Sequence, residues 1–219
     1  YLADLKDELA DRYYIQSPNR KVVETLVNKK EFYQSLSKHR IPYPKTYFVQ
    51  SIGDVERVIG AIEYPVYLRP SVSQSFGLIF RRKGFVARCA KELIKYYLLA
   101  SKYNIEVMIQ EIVSGGDENM FGIAGYFDRN SEPKGLFAYK RLRGWPTGFG
   151  TSSLMQSIPI SDLSEIKETM VAFLHSLEYQ GIMDAEFMRD SRDGTVKFLE
   201  VNARSWWQNS LPTECGINL

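Results

Sequence analysis

An α+β architecture in two lobes is what the sequence predicts, and three observations carry it. Short apolar segments separated by tight turn residues recur from residue 105 onward, ending in a hairpin whose turn is Asp193-Gly194. Well-marked helical segments at 90–101 and after Ser161 stand between these strands. Helices laid against mixed antiparallel strands define the α+β class.

Taken in order, the elements follow from local chemistry. Leu2, Leu5, Leu9 and Tyr13 form a helical stripe at the start. Ser17-Pro18 opens a short helix, with proline tolerated in the first turn. Asn28 caps a second helix from Lys29 to about Lys38, and its last residues, Lys38, His39 and Arg40, suit the negative C-terminal end. Pro42 and Pro44 stop it, and 46–50 is a strand. A helix at 51–61 breaks at Tyr64-Pro65 into a strand at 66–69. A small-residue loop at 70–77 then leads to strands at 78–82 and 85–88. After the helix at 90–101 come strands at 105–113 and 120–128 around a loop at 114–117. A turn at 130–134 precedes a strand at 136–142, and a glycine-rich loop at 144–150 precedes one at 153–158. Ser161-Asp162 caps the longest helix, which ends near Tyr179, and the hairpin of 182–189 with 196–201 follows.

The bulk composition excludes several classes. The 219 residues are 44% hydrophobic and 25% charged with a net charge of +2, which describes an ordinary globular protein without a dedicated nucleic-acid or membrane surface. No apolar run approaches the roughly 18 residues of a membrane span. Cys89 and Cys215 have neither CxxC nor metal-ligand spacing, so reduced thiols in a cytoplasmic protein are expected. Both ends look excised from a longer polypeptide: there is no initiator methionine, and the chain stops in a loop-like segment after Cys215.

The terminal hairpin concentrates chemistry. Side chains alternate faces along a strand. Centring the turn near Asp193 sets Glu186 opposite Glu200 and Asp184 opposite Asn202. Ala185, Phe187, Leu199 and Val201 then share the apolar core face, with Met188 and Phe198 on the carboxylate face. Opposed like charges destabilise a sheet, and a hard divalent cation relieves them with the oxygen ligands it prefers. A plain solvated face with splayed glutamates is the alternative. Arg204, just past the strand, is either a phosphate- or carboxylate-gripping fork or a surface charge.

The run Phe198-Leu199-Glu200-Val201-Asn202-Ala203-Arg204 resembles the closing motif of ATP-grasp enzymes. Asn28-Lys29 with the following helix and Ile41-Pro42 is similar to that family's entry to its first lobe. Residues 64–70, ending in Arg69-Pro70, resemble its Lys-Pro strand, residues 71–77 its phosphate-covering loop, and residues 108–115 its adenine-holding hinge. The resemblance spans residues 28–204. It implies two α+β lobes with ATP held between antiparallel sheets. Residues 1–27 would link from a missing N-terminal domain, 28–113 would form the first subdomain (its small lobe mainly 41–113) and 114–219 the second.

The resemblance also implies roles. Lys29 and Arg69 bind the phosphates, the backbone of Glu111 and Val113 pairs with adenine, and Asp117 takes the ribose hydroxyls. Glu186, Glu200 and Asn202 hold Mg²⁺ or Mn²⁺, and Arg204, with Arg69, serves the acyl phosphate. Phosphoryl transfer is mainly positioning and charge neutralisation, which suits this set. Arg69 replaces the usual lysine, a change of geometry at constant charge. The 71–77 loop has one glycine, Gly77, leaving backbone amides, Ser71, Ser73 and Ser75 to contact phosphate. Residues 140–150, basic and glycine-containing, resemble segments of ATP-grasp carboxylate-amine ligases of the D-aspartate ligase kind. Trp206 and Trp207 either wall a substrate pocket or pack in the core.

The expected function is therefore ATP-dependent joining of a small carboxylate to an amine through an acyl phosphate. A bicarbonate-using enzyme like carbamoyl-phosphate synthase or biotin carboxylase, and a non-catalytic nucleotide-binding regulatory domain, are the alternatives.

Overall fold

The computed structural model describes residues 3–146 and 150–219. Leu2 of the first stripe and residues 147–149 of the glycine-rich loop lie outside the described residues. The elements are α1 (Lys6–Leu9), α2 (Arg20–Val27), α3 (Lys29–Lys38), β1 (Thr46–Phe48), α4 (Ile52–Ile59), β2 (Val66–Pro70), α5 (Ser73–Phe80), β3 (Phe85–Ala87), α6 (Ala90–Ser101), β4 (Val107–Glu111), β5 (Met120–Phe127), β6 (Pro133–Trp145), β7 (Thr151–Ile158), α7 (Ser164–Ser176), β8 (Gly181–Arg189), β9 (Val196–Asn202) and α8 (Ser210–Glu214). No described helix is long and apolar enough to cross a membrane.

Two antiparallel sheets organise the chain. The smaller has the order β1-β4-β2-β3, the larger β7-β6-β5-β8-β9. Each carries its own core. Val55, Leu68, Phe76, Leu93 and Ile109 are fully buried around the smaller sheet. Phe32, Leu36, Ile123, Phe173 and Ala185 are buried around the larger. Alternation along β4 divides it between the two, since Met108 joins the larger core and its neighbour Ile109 the smaller. Helix α3 also packs on the larger side, where Phe32 meets Phe198 edge-on with centroids 5.3 Å apart.

Caps explain several boundaries. Asn28 accepts hydrogen bonds from the Lys30 and Glu31 amides, as its position before α3 suggests. Ser51 and Asp54 form a reciprocal capping box on α4. Helix α2 is capped by Asn19 rather than by Ser17, so it begins after Pro18. Ser161 and Asp162 lie in a 3-10 turn before α7, which has no side-chain cap.

The expected loop and strand over 70–82 are corrected. Residues 73–80 form α5, because Phe76 and Phe80 fall on one helical face and meet at a tilt with centroids 4.7 Å apart, Phe76 fully buried. The same apolar run reads as a strand when only its hydrophobicity is weighed. Its cost is visible on the other face, where Leu78 is 77% exposed.

Candidate functional site

A cleft of about 1220 Å³ lies between the two sheets, and it is lined by Lys29, Arg69, Glu111, Val113, Asp117, Glu186, Glu200, Asn202 and Arg204, the residues expected to serve the nucleotide, the metal and the acyl phosphate. They come from separate stretches of chain, which only the fold brings together.

Strands β8 and β9 set the carboxylate face. Glu186 pairs with Glu200 and Asp184 with Asn202, the register expected from the turn. Beyond Glu186 a bulge shifts the ladder, so that Phe187 faces Phe198 and not Leu199. Phe198 consequently enters the larger core, with its ring 4.3 Å from that of Phe187. Leu199 is displaced to the cleft, and its carbonyl accepts a hydrogen bond from Tyr33 Oη at 2.9 Å. The expected placement of Leu199 in the core and Phe198 on the carboxylate face is thus reversed by one extra residue.

The carboxylates are not equivalent. Burial, then the facing charges of Glu200 and Asp184, push Glu186 up to about 7. Burial likewise raises Asp184 to about 6, although the Tyr139 hydroxyl donates to it at 2.8 Å. Burial also opposes ionisation of Glu200, but Lys29 and then Arg69 outweigh it and bring Glu200 down to about 2. Asn202 Nδ2 lies 3.4 Å from Asp184 and 3.5 Å from Glu186, and its Oδ1 accepts from Arg204 at 3.2 Å.

Cations ring this face. Lys29 opens α3, is 8% exposed, and places Nζ 2.9 Å from Glu200. Arg69 on β2 stands 3.9 Å from the same carboxylate and donates to Gln110 at 3.2 Å, while its Nε is buried without a partner among the described residues. Ser71 Oγ is buried and unpartnered in the same way. Of the other serines in that segment, Ser73 lines the cleft and Ser75 does not.

Other residues complete the cleft, and the sequence singles out neither Arg141 within its basic stretch nor Tyr139 and Lys83. Arg141, 5% exposed, lies 3.6 Å from Glu186 and 3.9 Å from Asp117, and donates to Ser152 at 2.7 Å. Alternation along 136–142 is the signal that points to it, since Tyr139 and Arg141 share one face of β6. Tyr139 occupies the space over Gly122, where an added Cβ would meet the ring at 2.4 Å. Lys83 enters from the loop between α5 and β3; Gly84 lets that loop lie against Tyr67 and the Leu68 carbonyl, where a Cβ would clash at 2.6 Å and 2.7 Å. Asp117 accepts from the Gly144 amide at 2.7 Å. Trp206 is 7% exposed and Trp207 88% exposed, and both line the cleft. Lys140 and Arg143, from the basic stretch, do not line it.

The arrangement suits an anionic ligand with a hard cation. Among the described residues no three His, Cys, Asp or Glu side chains converge as a closed metal site. A cation held by two carboxylates and an amide, completed by phosphate oxygens and water, is the habit of Mg²⁺ and needs no such cage.

No family model matches the chain. It is 29% identical over 224 residues to a D-aspartate ligase of Enterococcus faecium (strain Aus0004), covering 98% of this chain and 52% of that protein. The chain thus spans about half the length of this curated relative. Among solved structures, it matches biotin carboxylase from Campylobacter jejuni in complex with a β,γ-ATP ligand. The TM-score is 0.78 with 13% identity, over 97% of this chain and 48% of that one. It also matches D-alanine–D-alanine ligase from Bacillus anthracis complexed with ATP, with a TM-score of 0.67 and 12% identity, over 97% of this chain and 69% of that one. The fold is the ATP-grasp fold, two α+β lobes closing a cleft between antiparallel sheets.

Proposed function

We propose that this chain is the nucleotide-binding and catalytic part of an ATP-dependent carboxylate-amine ligase. The observation that carries the reading is the convergence of Lys29, Arg69, Glu186, Glu200, Asn202 and Arg204 on one cleft. The D-aspartate ligase relative makes an amino acid the first class of substrate to test. Free, exposed Cys89 and Cys215 agree with a cytoplasmic setting.

In this reading the substrate carboxylate attacks the γ-phosphorus of ATP, ADP leaves, and the acyl phosphate forms. The amine then attacks the acyl carbon, inorganic phosphate leaves, and the amine gives up a proton. Lys29 and Arg69 bind the polyphosphate, the unpartnered Arg69 Nε being a donor held in reserve for it. The backbone of Glu111 and Val113 pairs with adenine, and Asp117 takes the ribose hydroxyls. Arg204, exposed and hydrogen-bonded to Asn202 and the Ser205 carbonyl, would stabilise the acyl phosphate. Glu186, Glu200 and Asn202 would hold Mg²⁺, which supplies charge neutralisation at the transferring phosphoryl group.

Calorimetric titration with Mg-ATP, followed by ADP release against a panel of amino acids as carboxylate and amine, tests the proposal. Turnover with an amino acid pair supports it. Mg-ATP binding with no turnover on any acid points to the regulatory alternative, and ADP release stimulated only by bicarbonate points to the carboxylase-like one.

A further inference from the structure

One carboxylate ties the two sheets together behind the cleft. Glu111 closes β4 of the smaller sheet, and its Oε2 accepts from Arg192 Nη2, in the β8–β9 turn of the larger sheet, at 2.8 Å. Lys197 Nζ from β9 reaches its Oε1, and the Lys45 amide donates to that same oxygen at 2.7 Å. Both cations are gathered by Asp190, which is 1% exposed. Arg192 Nε donates to it at 2.8 Å, and Lys197 Nζ lies 2.9 Å from it. Beside this cluster the Ser191 amide donates to the Ser114 carbonyl at 2.9 Å, and the two hydroxyls meet at 2.9 Å. Two acids and two bases therefore alternate across the seam where the chain passes from one sheet to the other.

None of Asp190, Arg192 and Lys197 lines the cleft. The backbone that does, at 111–113, leaves its strand after Glu111, and it is held at either end, by the cluster on the Glu111 carboxylate and by Ser191 on Ser114. A planar base held by backbone hydrogen bonds needs those groups within a few tenths of an ångström of their ideal places, because hydrogen-bond energy falls steeply with misalignment. Charge-assisted bonds are about twice as strong as neutral ones, and their fork geometry restricts orientation as well as distance.

We infer that Asp190 and Arg192 are positioning residues for the nucleotide base, acting through Glu111 on the backbone of residues 111–113 without touching the ligand. The inference rests on the nucleotide reading above and separates from it experimentally. Arg192 is half exposed, so Arg192→Ala should fold. The binding of ATP and of inorganic tripolyphosphate, each with Mg²⁺, is measured by calorimetry on the whole chain for wild type, Arg192→Ala and Arg192→Lys. Amide hydrogen exchange across 111–116 is followed in parallel. Arg192→Ala should weaken ATP about tenfold, the scale of one charged hydrogen bond, leave tripolyphosphate unchanged, and speed exchange at 112–114. Arg192→Lys should recover part of the loss. Equal weakening of ATP and tripolyphosphate, or unchanged ATP affinity in Arg192→Ala, overturns the positioning role while leaving the nucleotide reading intact. A wild-type chain that binds neither ligand overturns both.

Discussion

Lys29 and Glu200 are ion-paired at 2.9 Å, joining the first residue of α3 to the carboxylate face of β9. The pair divides two glutamates that the sequence treats alike. Glu200 has its charge balanced by Lys29 and, at 3.9 Å, by Arg69. Glu186 has Arg141 at 3.6 Å and two acids facing it.

The two glutamates should therefore respond oppositely to removal of charge. Glu200→Gln leaves a buried ammonium facing an amide, and should cost the ligand-free protein about 2 kcal/mol. Glu186→Gln removes the more crowded carboxylate and should leave the ligand-free melting temperature unchanged or raised. Both variants should lose the thermal stabilisation given by Mg-ATP, since ligand that binds only the folded state stabilises it by an amount that grows with the logarithm of its concentration over Kd. Thermal melts of the variants with and without Mg-ATP decide it. Full stabilisation of either variant would remove that glutamate from the metal site.

Arg69 should tolerate lysine better than alanine. Its guanidinium sits at the end of β2, 16% exposed, with one nitrogen on Gln110. Arg69→Lys keeps the charge but loses the fork, so ATP affinity should fall several-fold, whereas Arg69→Ala should lower it about a hundredfold. Equal effects in a binding titration would mean that Arg69 does not contact phosphate.

Gly122→Ala tests the wall behind Asp184. The new methyl would sit 2.4 Å from the Tyr139 ring, so Tyr139 must move and its bond to Asp184 must break. Overpacking of this kind costs about 2 kcal/mol. The double variant Gly122→Ala with Tyr139→Leu should recover most of that loss in a denaturant titration. Failure to recover would place the strain in the β5 backbone instead.

Acid should weaken the seam between the sheets. Hydrogen bonds from Arg192, then Lys197, hold Asp190 well below the usual carboxylate range against the opposing effect of burial. A depressed folded-state value means the stabilisation is fully present above the unfolded value near 4 and is lost as pH falls below it. Stability measured by urea titration should therefore decline below pH of about 4 in wild type, and decline less steeply in Asp190→Asn. The same slope in both would place the acid sensitivity elsewhere.

Much of this site is legible in the sequence. Alternation puts Glu186 and Glu200 opposite one another, a cap-forming asparagine places Lys29 at the head of a helix, and Arg69 falls at a strand end. These inferences depend on short-range rules, one hairpin or one helical turn at a time. Arg141 is passed over because its stretch reads as a run of charge, although alternation with Tyr139 buries it and a register shift after it leaves Arg143 exposed.

By itself the sequence determined the α+β class, the helix at 90–101 and the hairpin with its opposed glutamates, because backbone propensity, capping and period-two burial are local, while the family resemblance pointed to most of the cleft's other charged residues. Only the tertiary structure decided which charges pair. The bulge that exchanged Phe198 and Leu199 arises from packing of Phe198 against Phe32 and Phe187. Helix α5 arises from Phe76 finding the smaller core. Lys29 meets Glu200, and Arg192 meets Glu111, across 171 and 81 residues of chain, the differences of their numbers. Contacts at such separation depend on where two independent cores come to rest, and no local pattern encodes that.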